Sequence, residues 1–278
     1  MSDIKKEYYF ISGLPRSGST LLTAILRQNP EFHADISSPV EGMLNFAINY
    51  MSKTEASSGI MDNQRESVLK GTIDGFYSNI KKPVIFDSNR KWSSKTNLLR
   101  SMFPYTRIIC CVRDINWILD SFEKISNKNP YHANVTVDEE ISCCVHTRSH
   151  ALMDINKSGT VIKPWYWLQE GLLANPDMIL LVEYNDLAKD PENTMRRVYN
   201  FIDKEYYVNH DYENVQYSNK SFDLAVSSPN LHTVSGKVEY RDRKTILPQQ
   251  IIDKYSDYEF WRQNSVLDKK QLNNFTYS

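Results

Sequence analysis

The sequence lacks the features that mark membrane-spanning, secreted or zinc-stabilised proteins. Its 278 residues contain no apolar run near the ~18 residues that cross a bilayer. The first ten residues, MSDIKKEYYF, have no apolar signal core. The four cysteines form two adjacent pairs and no C-x-x-C motif, which argues against a structural zinc site. We therefore expect a cytoplasmic protein that makes no membrane contact.

The chain also lacks an excess of charge. It has 33 Lys and Arg against 34 Asp and Glu, for a formal net charge of −1. A surface for nucleic acid would be strongly basic, so we expect no nucleic-acid partner. Any polyanionic ligand must be held by individual cations. The sequence has no aspartate cluster that suggests a magnesium site, and we expect no metal.

Short apolar runs alternate with stretches of helical spacing, and no linker or internal repeat divides the chain. We predict strands over residues 7–12, 83–86, 107–112 and 178–184. Such runs between helices are typical of a parallel sheet covered on both faces. The predicted helices lie at about 18–28, 40–53, 64–80, 95–102, 114–125, 137–156, 162–174, 191–202 and 248–262. The sequence thus predicts a single α/β domain over residues 1–278, with a central parallel sheet flanked by helices.

A glycine-bearing turn follows the first predicted strand, in the segment GLPRSGST (residues 13–20). Gly13 and Gly18 have the spacing of a phosphate-binding loop, G-x-x-x-x-G-K-S/T, but Ser19 stands where that loop has its lysine. The one cation, Arg16, lies inside the loop. Backbone N–H groups at such a turn can bind an anion. The altered pattern favours an anionic nucleotide and disfavours ordinary ATP or GTP chemistry.

Two more polar segments follow predicted strands, DSNRKW (87–92) and RDINW (113–117). In an open parallel sheet the ligand lies beyond the carboxyl ends of the strands, so the loop and both segments should meet at one edge. Arg113 is followed eight residues later by Ser121, and together they could bind a phosphate. Alternatively, Arg113 forms a structural salt bridge and Ser121 lies on the surface.

These residues resemble the sulfotransferases that use 3′-phosphoadenosine 5′-phosphosulfate (PAPS). The family has a loop of the form x-Pro-Lys/Arg-Ser-Gly-Ser/Thr-Thr, which LPRSGST matches, and an arginine with a serine eight positions later, as in Arg113 and Ser121. The segment VEYNDL (182–187) resembles a third family motif. The resemblance covers about residues 7–203 and is closest to the bacterial and tyrosylprotein branch.

The resemblance implies a P-loop-like fold and transfer of a sulfuryl group from PAPS to a hydroxyl or amine acceptor. The acceptor could be a small molecule, a saccharide or a peptide, and the transfer is an in-line displacement that needs positioning and electrostatic stabilisation. Alternative functions are a P-loop kinase of a small metabolite and a non-catalytic nucleotide-binding module. The implied donor-binding residues are Pro15, Arg16, Ser17, Gly18, Ser19, Thr20, Arg113, Ser121, Tyr184 and Lys237.

Some of these residues also have ordinary structural explanations. Ser19 or Thr20 could only cap the helix, and Tyr184 could be a core tyrosine. Lys237 lies in the polar segment from about residue 203, which we expect to be irregular and able to close over the donor as a lid. A solvated surface is the alternative for that segment.

The catalytic candidates are Arg16, Arg90 and Glu41. Arg16 would stabilise charge on the departing 5′-phosphate, and Arg90 would act as a cation near the sulfuryl group unless it pairs with Asp87. A hydroxyl acceptor also needs a general base. Relatives in the tyrosylprotein branch place a glutamate soon after the first helix, but the matching position here holds Ile36 and Ser37. The base therefore stays open among Glu41, Asp35 and His33, with Glu41 ranked first.

Overall fold

A five-stranded parallel sheet organises the chain in the computed structural model, which describes residues 5–128, 144–225 and 231–262. The strands are β1 (Glu7–Gly13), β2 (Phe32–Ala34), β3 (Val84–Ser88), β4 (Ile108–Val112) and β5 (Ile179–Glu183). The helices are α1 (Ser19–Leu26), α2 (Val40–Lys53), α3 (Asp62–Phe76), α4 (Thr96–Met102), α5 (Ile115–Lys128), α6 (Val145–Leu152), α7 (Ile162–Ala174), α8 (Tyr184–Lys189), α9 (Pro191–Phe201), α10 (Lys220–Ala225) and α11 (Gln249–Lys254). The predicted α/β fold with a central parallel sheet is confirmed.

The strand order is β2-β3-β1-β4-β5, with every neighbouring pair parallel. The sheet grows to one side of β1 through β3 and β2 and then to the other side through β4 and β5. The order therefore reverses between β1 and β4. Open sheets of this kind bind ligands beyond the strand ends at this reversal point, and the loop after β1 and Arg113 after β4 both lie there.

The sheet is buried on both faces because its strands have apolar side chains on each side. In β1, Tyr8 and Phe10 join one apolar cluster, and Tyr9 and Ile11 join the other. Alternate residues of a strand point to opposite faces, so one short run contributes to both clusters. Fixing β1 from both sides gives the loop that follows it a rigid base.

The structure departs from the sequence prediction in several element boundaries. The three-residue edge strand β2 was not predicted, and α3 begins and ends earlier than the expected 64–80. Of the expected helix 137–156, α6 is described, and residues 137–143 lie outside the described residues. The region after 203 was expected to be irregular, yet β6 (Val215–Ser218) and β7 (Thr233–Gly236) pair as antiparallel strands.

The predicted helix over 248–262 is wrong in its extent. It ends at Lys254, and only Phe260–Arg262 form a further helical turn, of the 3₁₀ type. Between them the chain turns so that the Tyr258 carbonyl accepts a hydrogen bond from Trp165 at 2.6 Å, and the Glu259 carboxylate accepts one from the Ile115 N–H at 3.0 Å. These contacts satisfy groups on α7 and at the start of α5 that a continuous helix would leave unpaired. Within the described ranges, no helix is long and apolar enough to cross a membrane.

Gly13 ends β1 in a conformation that a residue with a side chain rarely adopts, with φ at +104°. A Cβ atom there would collide with the backbone of Cys111 on β4. Gly13→Ala should therefore lower the free energy of unfolding by about 2–4 kcal/mol, through strain and displaced backbone. Urea denaturation measures this loss.

Gly42→Ala is the matched control, because Gly42 lies on α2 and a Cβ there meets no atom within 4 Å. That variant should be as stable as the parent protein or up to about 1 kcal/mol more stable. Equal stability of the two alanine variants would contradict the tight β1–β4 approach.

Candidate active site

The loop between β1 and α1 is built by left-handed backbone at three positions. Gly13, Arg16 and Gly18 have φ values of +104°, +56° and +97°. The Ser17 hydroxyl is buried and lies 2.5 Å from the Leu14 carbonyl and 2.9 Å from the Cys111 carbonyl. Ser17 therefore fastens the loop to β4, and its hydroxyl is turned away from the open side of the loop.

Gly18 forms the N-cap of α1, and no side chain caps the helix. Ser19 and Thr20 occupy the first turn, are partly exposed and do not serve as the cap. Pro15 is buried in the same turn. The N–H groups of this turn and the helix dipole favour an anion in front of the loop.

Arg16 joins this loop to two distant parts of the chain. Its Nε donates to the Ser121 hydroxyl on α5 at 3.1 Å, and its Nη1 donates to the Leu231 carbonyl at 3.2 Å. Burial lowers the pKa of Arg16, and the positive charges of Arg90 and Arg243 lower it further. The two sequence motifs, 105 residues apart, thus meet in a single hydrogen bond.

Arg113 follows β4 and is only 8% exposed. Its guanidinium carbon lies 4.0 Å from the centre of the Tyr184 ring, a cation–π contact. Burial and the nearby charge of Arg243 lower the pKa of Arg113 to about 10. Its Nε is buried and has no hydrogen-bond partner in the described part of the chain. The structural salt bridge considered from sequence is absent from the described contacts, and the site presents a donor that an anion could satisfy.

Tyr184 lies between Arg113 and the loop. A Cβ added at Gly18 would come within 2.8 Å of the Tyr184 ring, so the ring packs directly on that glycine. The glycine is needed here for close approach as well as for its left-handed backbone. The Tyr184 ring therefore contacts both Arg113 and the loop and helps to hold them in place.

A cavity of about 360 Å³ opens beside Arg16 and Ser121. Its other lining residues include three cations and no carboxylate: Lys124, Lys128 and Arg243, with Ile125, Asn127 and Ile246. Lys124 is paired with Asp120, whereas Arg16, Lys128 and Arg243 form no ion pair among the described residues, and their positive charge favours a polyanion. Sequence reasoning missed Arg243, which lies in the RDRK stretch near the carboxyl end, and Lys124, one helical turn after Ser121.

Arg243 is brought to the cavity by a short segment that we call the strap, residues 243–247. The buried carboxylate of Asp120 on α5 accepts hydrogen bonds from the Ile246 N–H at 2.8 Å and the Thr245 hydroxyl at 3.1 Å. Lys124 bonds the same carboxylate at 2.6 Å and the Lys244 carbonyl at 3.0 Å. Asp120 thus anchors the strap immediately beside Ser121.

Lys237, the cation expected to close over the donor, is not brought to this cavity. It follows β7, is exposed, and forms a 2.9 Å ion pair with Glu213. Arg243 lies near Arg16 and Arg113 instead. The region after 203 does contribute to the site, but through Leu231 and the strap.

Arg90 begins the helical turn after β3, in the segment DSNRKW. The considered pair with Asp87 is not formed, because that carboxylate accepts hydrogen bonds from Tyr77 and Trp92, both at 2.6 Å. No hydrogen bond or ion pair to the Arg90 side chain is present among the described residues. The side chain is exposed, yet desolvation by surrounding protein lowers its pKa.

The three base candidates from sequence lie in different surroundings. Glu41, in the first turn of α2, is 3% exposed, and its Oε2 lies 3.2 Å from the Lys91 ammonium. Its Oε1 is buried without a hydrogen-bond partner among the described residues. Asp35 accepts hydrogen bonds from the Tyr217 hydroxyl and, at 2.8 Å, from the Ile36 N–H. His33 lies on edge strand β2, and its ring packs edge-on to Tyr77.

Comparison with known proteins gives one consistent family. The sequence pattern of the sulfotransferase family matches residues 9–207. A Caenorhabditis briggsae protein that carries the name of a protein-tyrosine sulfotransferase is 21% identical over 208 residues, covering 72% of this chain and 67% of that protein.

Two solved structures align with the whole of this chain. The sulfotransferase domain from the curacin biosynthetic pathway is 15% identical, with a TM-score of 0.50 and coverage of 100% of this chain and 99% of that one. The sulfotransferase domain of the Synechococcus PCC 7002 olefin synthase is 17% identical, with a TM-score of 0.47 and coverage of 100% and 98%. No group of three His, Cys, Asp or Glu side chains that could hold a metal occurs in the described ranges.

The Asp120 anchor predicts a specific loss of order in the strap. Asp120→Ala removes the acceptor of the Ile246 N–H and should ease opening of the strap by about 2–3 kcal/mol. Amide hydrogen exchange at Ile246 should accelerate by about 30- to 150-fold, the equivalent of that energy. The Leu247 amide should follow, since its acceptor is the Thr245 hydroxyl.

Glu192→Ala is the control, because Glu192 forms an exposed ion pair with Arg196 and such pairs contribute little. Unchanged exchange at Ile246 in the Asp120 variant would show that another contact holds the strap.

Proposed function

Because this chain belongs to the sulfotransferase family, we propose that it transfers the sulfuryl group of PAPS to a hydroxyl or amine acceptor by in-line displacement. The observation that carries the proposal is the hydrogen bond from Arg16 to Ser121, which joins the loop and the second motif at one cationic cavity. The product would be adenosine 3′,5′-bisphosphate, with no metal required for binding.

The donor's roughly four negative charges match the cations of the site. We assign the 5′-phosphosulfate to the backbone N–H groups of residues 16–20 and to the Arg16 side chain. We assign the 3′-phosphate to Arg113 and Ser121, with Arg243 closing over it. Each charge-assisted hydrogen bond contributes about 1.5–3 kcal/mol. Burial lowers the pKa values of Arg16 and Arg113, and the positive charge of Arg243 lowers both further. A bound anion would offset this repulsion.

The remaining residues predicted to bind the donor have unequal support. Tyr184 keeps its proposed place beside the nucleotide, because its ring separates Arg113 from the loop. Lys237 stays a prediction with less support, since its ammonium is paired with Glu213. The side chains of Ser19 and Thr20 remain proposed donors at the first turn of α1.

Two cations are proposed to act on the transferring group. In the displacement, charge spreads over the equatorial oxygens and builds up on the departing 5′-phosphate. Arg16 would stabilise the leaving phosphate from within the loop. Arg90 would face the sulfuryl group, because it has no described partner and its charge acts on Arg16. Positioned cations in a site with little water are effective in this role.

The acceptor stays a prediction: a small molecule, a saccharide or a peptide. A cytoplasmic location also stays a prediction. The kinase and the non-catalytic nucleotide-binding module are the alternatives that the following measurements distinguish.

The donor proposal predicts a nucleotide preference. Calorimetric titration should show binding of adenosine 3′,5′-bisphosphate at least tenfold tighter than binding of ATP or GTP. Arg113→Ala should weaken bisphosphate binding by about 10- to 100-fold, the equivalent of one lost charge-assisted contact. The same variant should bind adenosine 5′-monophosphate, which has no 3′-phosphate, within threefold of the parent protein.

Arg100→Ala is the matched control, since Arg100 forms an exposed pair with Asp177 at 2.7 Å. Tight binding of ATP with no binding of the bisphosphate would contradict the proposal and favour a kinase. Binding of the bisphosphate with no transfer of labelled sulfate from PAPS would identify a non-catalytic module.

Substitution of Arg90 should lower turnover and leave bisphosphate binding nearly unchanged. Arg90→Ala should lower kcat for sulfate transfer by about 10²- to 10³-fold, because a preorganised cation would be lost from the transition state. Bisphosphate affinity should stay within threefold, since the product lacks the sulfuryl group. An equal loss of affinity and kcat would make Arg90 a donor-binding residue instead.

A further inference from the structure

A histidine–aspartate pair lies beside the cationic site and was not expected from sequence. The His232 Nδ1 is 2.8 Å from a carboxylate oxygen of Asp223, and the His232 backbone N–H donates to both oxygens of that carboxylate at 3.1 and 3.2 Å. Asp223 lies on α10 and is only 2% exposed. The Phe222 ring packs edge-on to the imidazole, with centroids 4.9 Å apart. The imidazole is therefore fixed in position and in rotation.

The contact with Asp223 also sets the tautomer of His232. An ionised carboxylate can only accept hydrogen bonds, so Nδ1 carries the proton and Nε2 presents its lone pair. Among the described residues, no group makes a hydrogen bond to Nε2. The carboxylate stabilises the imidazolium that forms when Nε2 takes up a proton, the arrangement of a general base with an orienting partner.

Backbone and charge both link this pair to Arg16 and Arg90. Leu231, the preceding residue, accepts a hydrogen bond from Arg16 through its carbonyl at 3.2 Å. Burial lowers the pKa of His232, Asp223 raises it, and the charges of Arg16 and Arg90 lower it. Both of the cations proposed to act on the transferring group thus lie close to the imidazole. The Asp223 charge in turn raises the pKa of Arg16.

The candidates expected from sequence are placed less well for this role. Glu41 is paired with Lys91, and Asp35 is held by the Tyr217 hydroxyl. His33 packs against Tyr77. Burial lowers its pKa, while Asp35 raises it and Arg27 and Lys82 lower it. The charges that act on Arg16 are those of Arg90, Arg243 and Asp223. Of the carboxylates and imidazoles considered, the pair formed by His232 and Asp223 is the one linked to Arg16.

We propose that His232 is the general base of the transfer and that Asp223 is the residue that positions it; this assignment rests on the proposed function. The acceptor hydroxyl gives its proton to the His232 Nε2 as its oxygen forms a bond to the donor sulfur. The bond between sulfur and the bridging oxygen of the 5′-phosphate breaks, and that oxygen keeps the electron pair. Adenosine 3′,5′-bisphosphate leaves, and the imidazolium then releases the proton to water.

The base must be neutral, so activity should fall as pH falls through the pKa of His232. In the protein without donor, burial holds this pKa below its ordinary value of 6.5. The groups that face the imidazole are Asp223 from α10, Arg16 from the loop and Arg90 after β3. A bound donor brings negative charge and raises the pKa, so the acid limb of kcat should lie at higher pH than the titration of the donor-free protein.

The test compares His232→Gln with Glu41→Gln, and uses His150→Gln as the control because His150 is an exposed residue of α6. Release of bisphosphate from PAPS is measured with a phenol, an alkyl alcohol, a monosaccharide and water alone as acceptors. His232→Gln should lower kcat by about 10²- to 10⁴-fold, the usual contribution of a general base. Its affinity for adenosine 3′,5′-bisphosphate should stay within threefold, and Glu41→Gln should keep most of kcat.

Two further readouts exclude a merely structural role. Added imidazole should restore part of the activity of His232→Gly and leave that of Glu41→Gln unchanged. In the donor-free protein, nitrogen NMR at pH 7 should find the His232 proton on Nδ1, and Asp223→Asn should alter this tautomer and lower kcat. Either a protonated Nε2 at pH 7 or a His232→Gln variant that retains kcat within threefold would overturn the assignment.

The measurements distinguish an error in assigning His232 as the base from an error in the proposed sulfotransferase function. If the parent protein releases bisphosphate and His232→Gln does so equally fast, His232 is not the base and the transferase proposal stands. If the parent protein releases none and does not bind the bisphosphate, the proposed function is wrong and this assignment falls with it.

Discussion

The Arg16 guanidinium is the contact on which the rest of the site depends. One side chain in a short loop reaches Ser121 on α5 and the Leu231 carbonyl, more than 200 residues away in sequence. The backbone at Arg16 is left-handed, and its side chain reaches α5, the helix that follows β4. This side chain joins the loop, the second motif and the carboxyl-terminal part of the chain at one place.

The site around Arg16 carries an excess of positive charge. Burial lowers the pKa of Arg16 and of Arg113, and the positive charge of Arg243 lowers both further, so several cations are held together here against repulsion. The nearby carboxylates have other hydrogen-bond partners: Asp120 binds the strap, and Asp223 binds His232. A site arranged in this way costs stability when empty and favours a ligand with several negative charges. This excess of positive charge is why we expect the site to prefer a doubly phosphorylated nucleotide.

The sequence predicted the parts of the site that depend on local chain geometry. The glycines at 13 and 18, the position of Arg16, and the spacing from Arg113 to Ser121 are local patterns at strand ends, and the parallel sheet brings them together. Arg243 and the His232–Asp223 pair could not be predicted, because their positions depend on Asp120 and Leu231, contacts made over a hundred residues or more. The prediction of a helix over 248–262 was wrong for the same reason. Glu259 binds the first turn of α5, and no local sequence pattern predicts that contact.

A structure of the protein with adenosine 3′,5′-bisphosphate tests the central claim most directly. The proposed binding mode predicts the 5′-phosphate within hydrogen-bond distance of the N–H groups of residues 16–20 and of the Arg16 side chain. It predicts the 3′-phosphate on Arg113, Ser121 and Arg243, with the His232 Nε2 facing the position left by the sulfuryl group. Bisphosphate bound away from Arg16 and Arg113, or in an orientation that exchanges its two phosphates, would contradict the account.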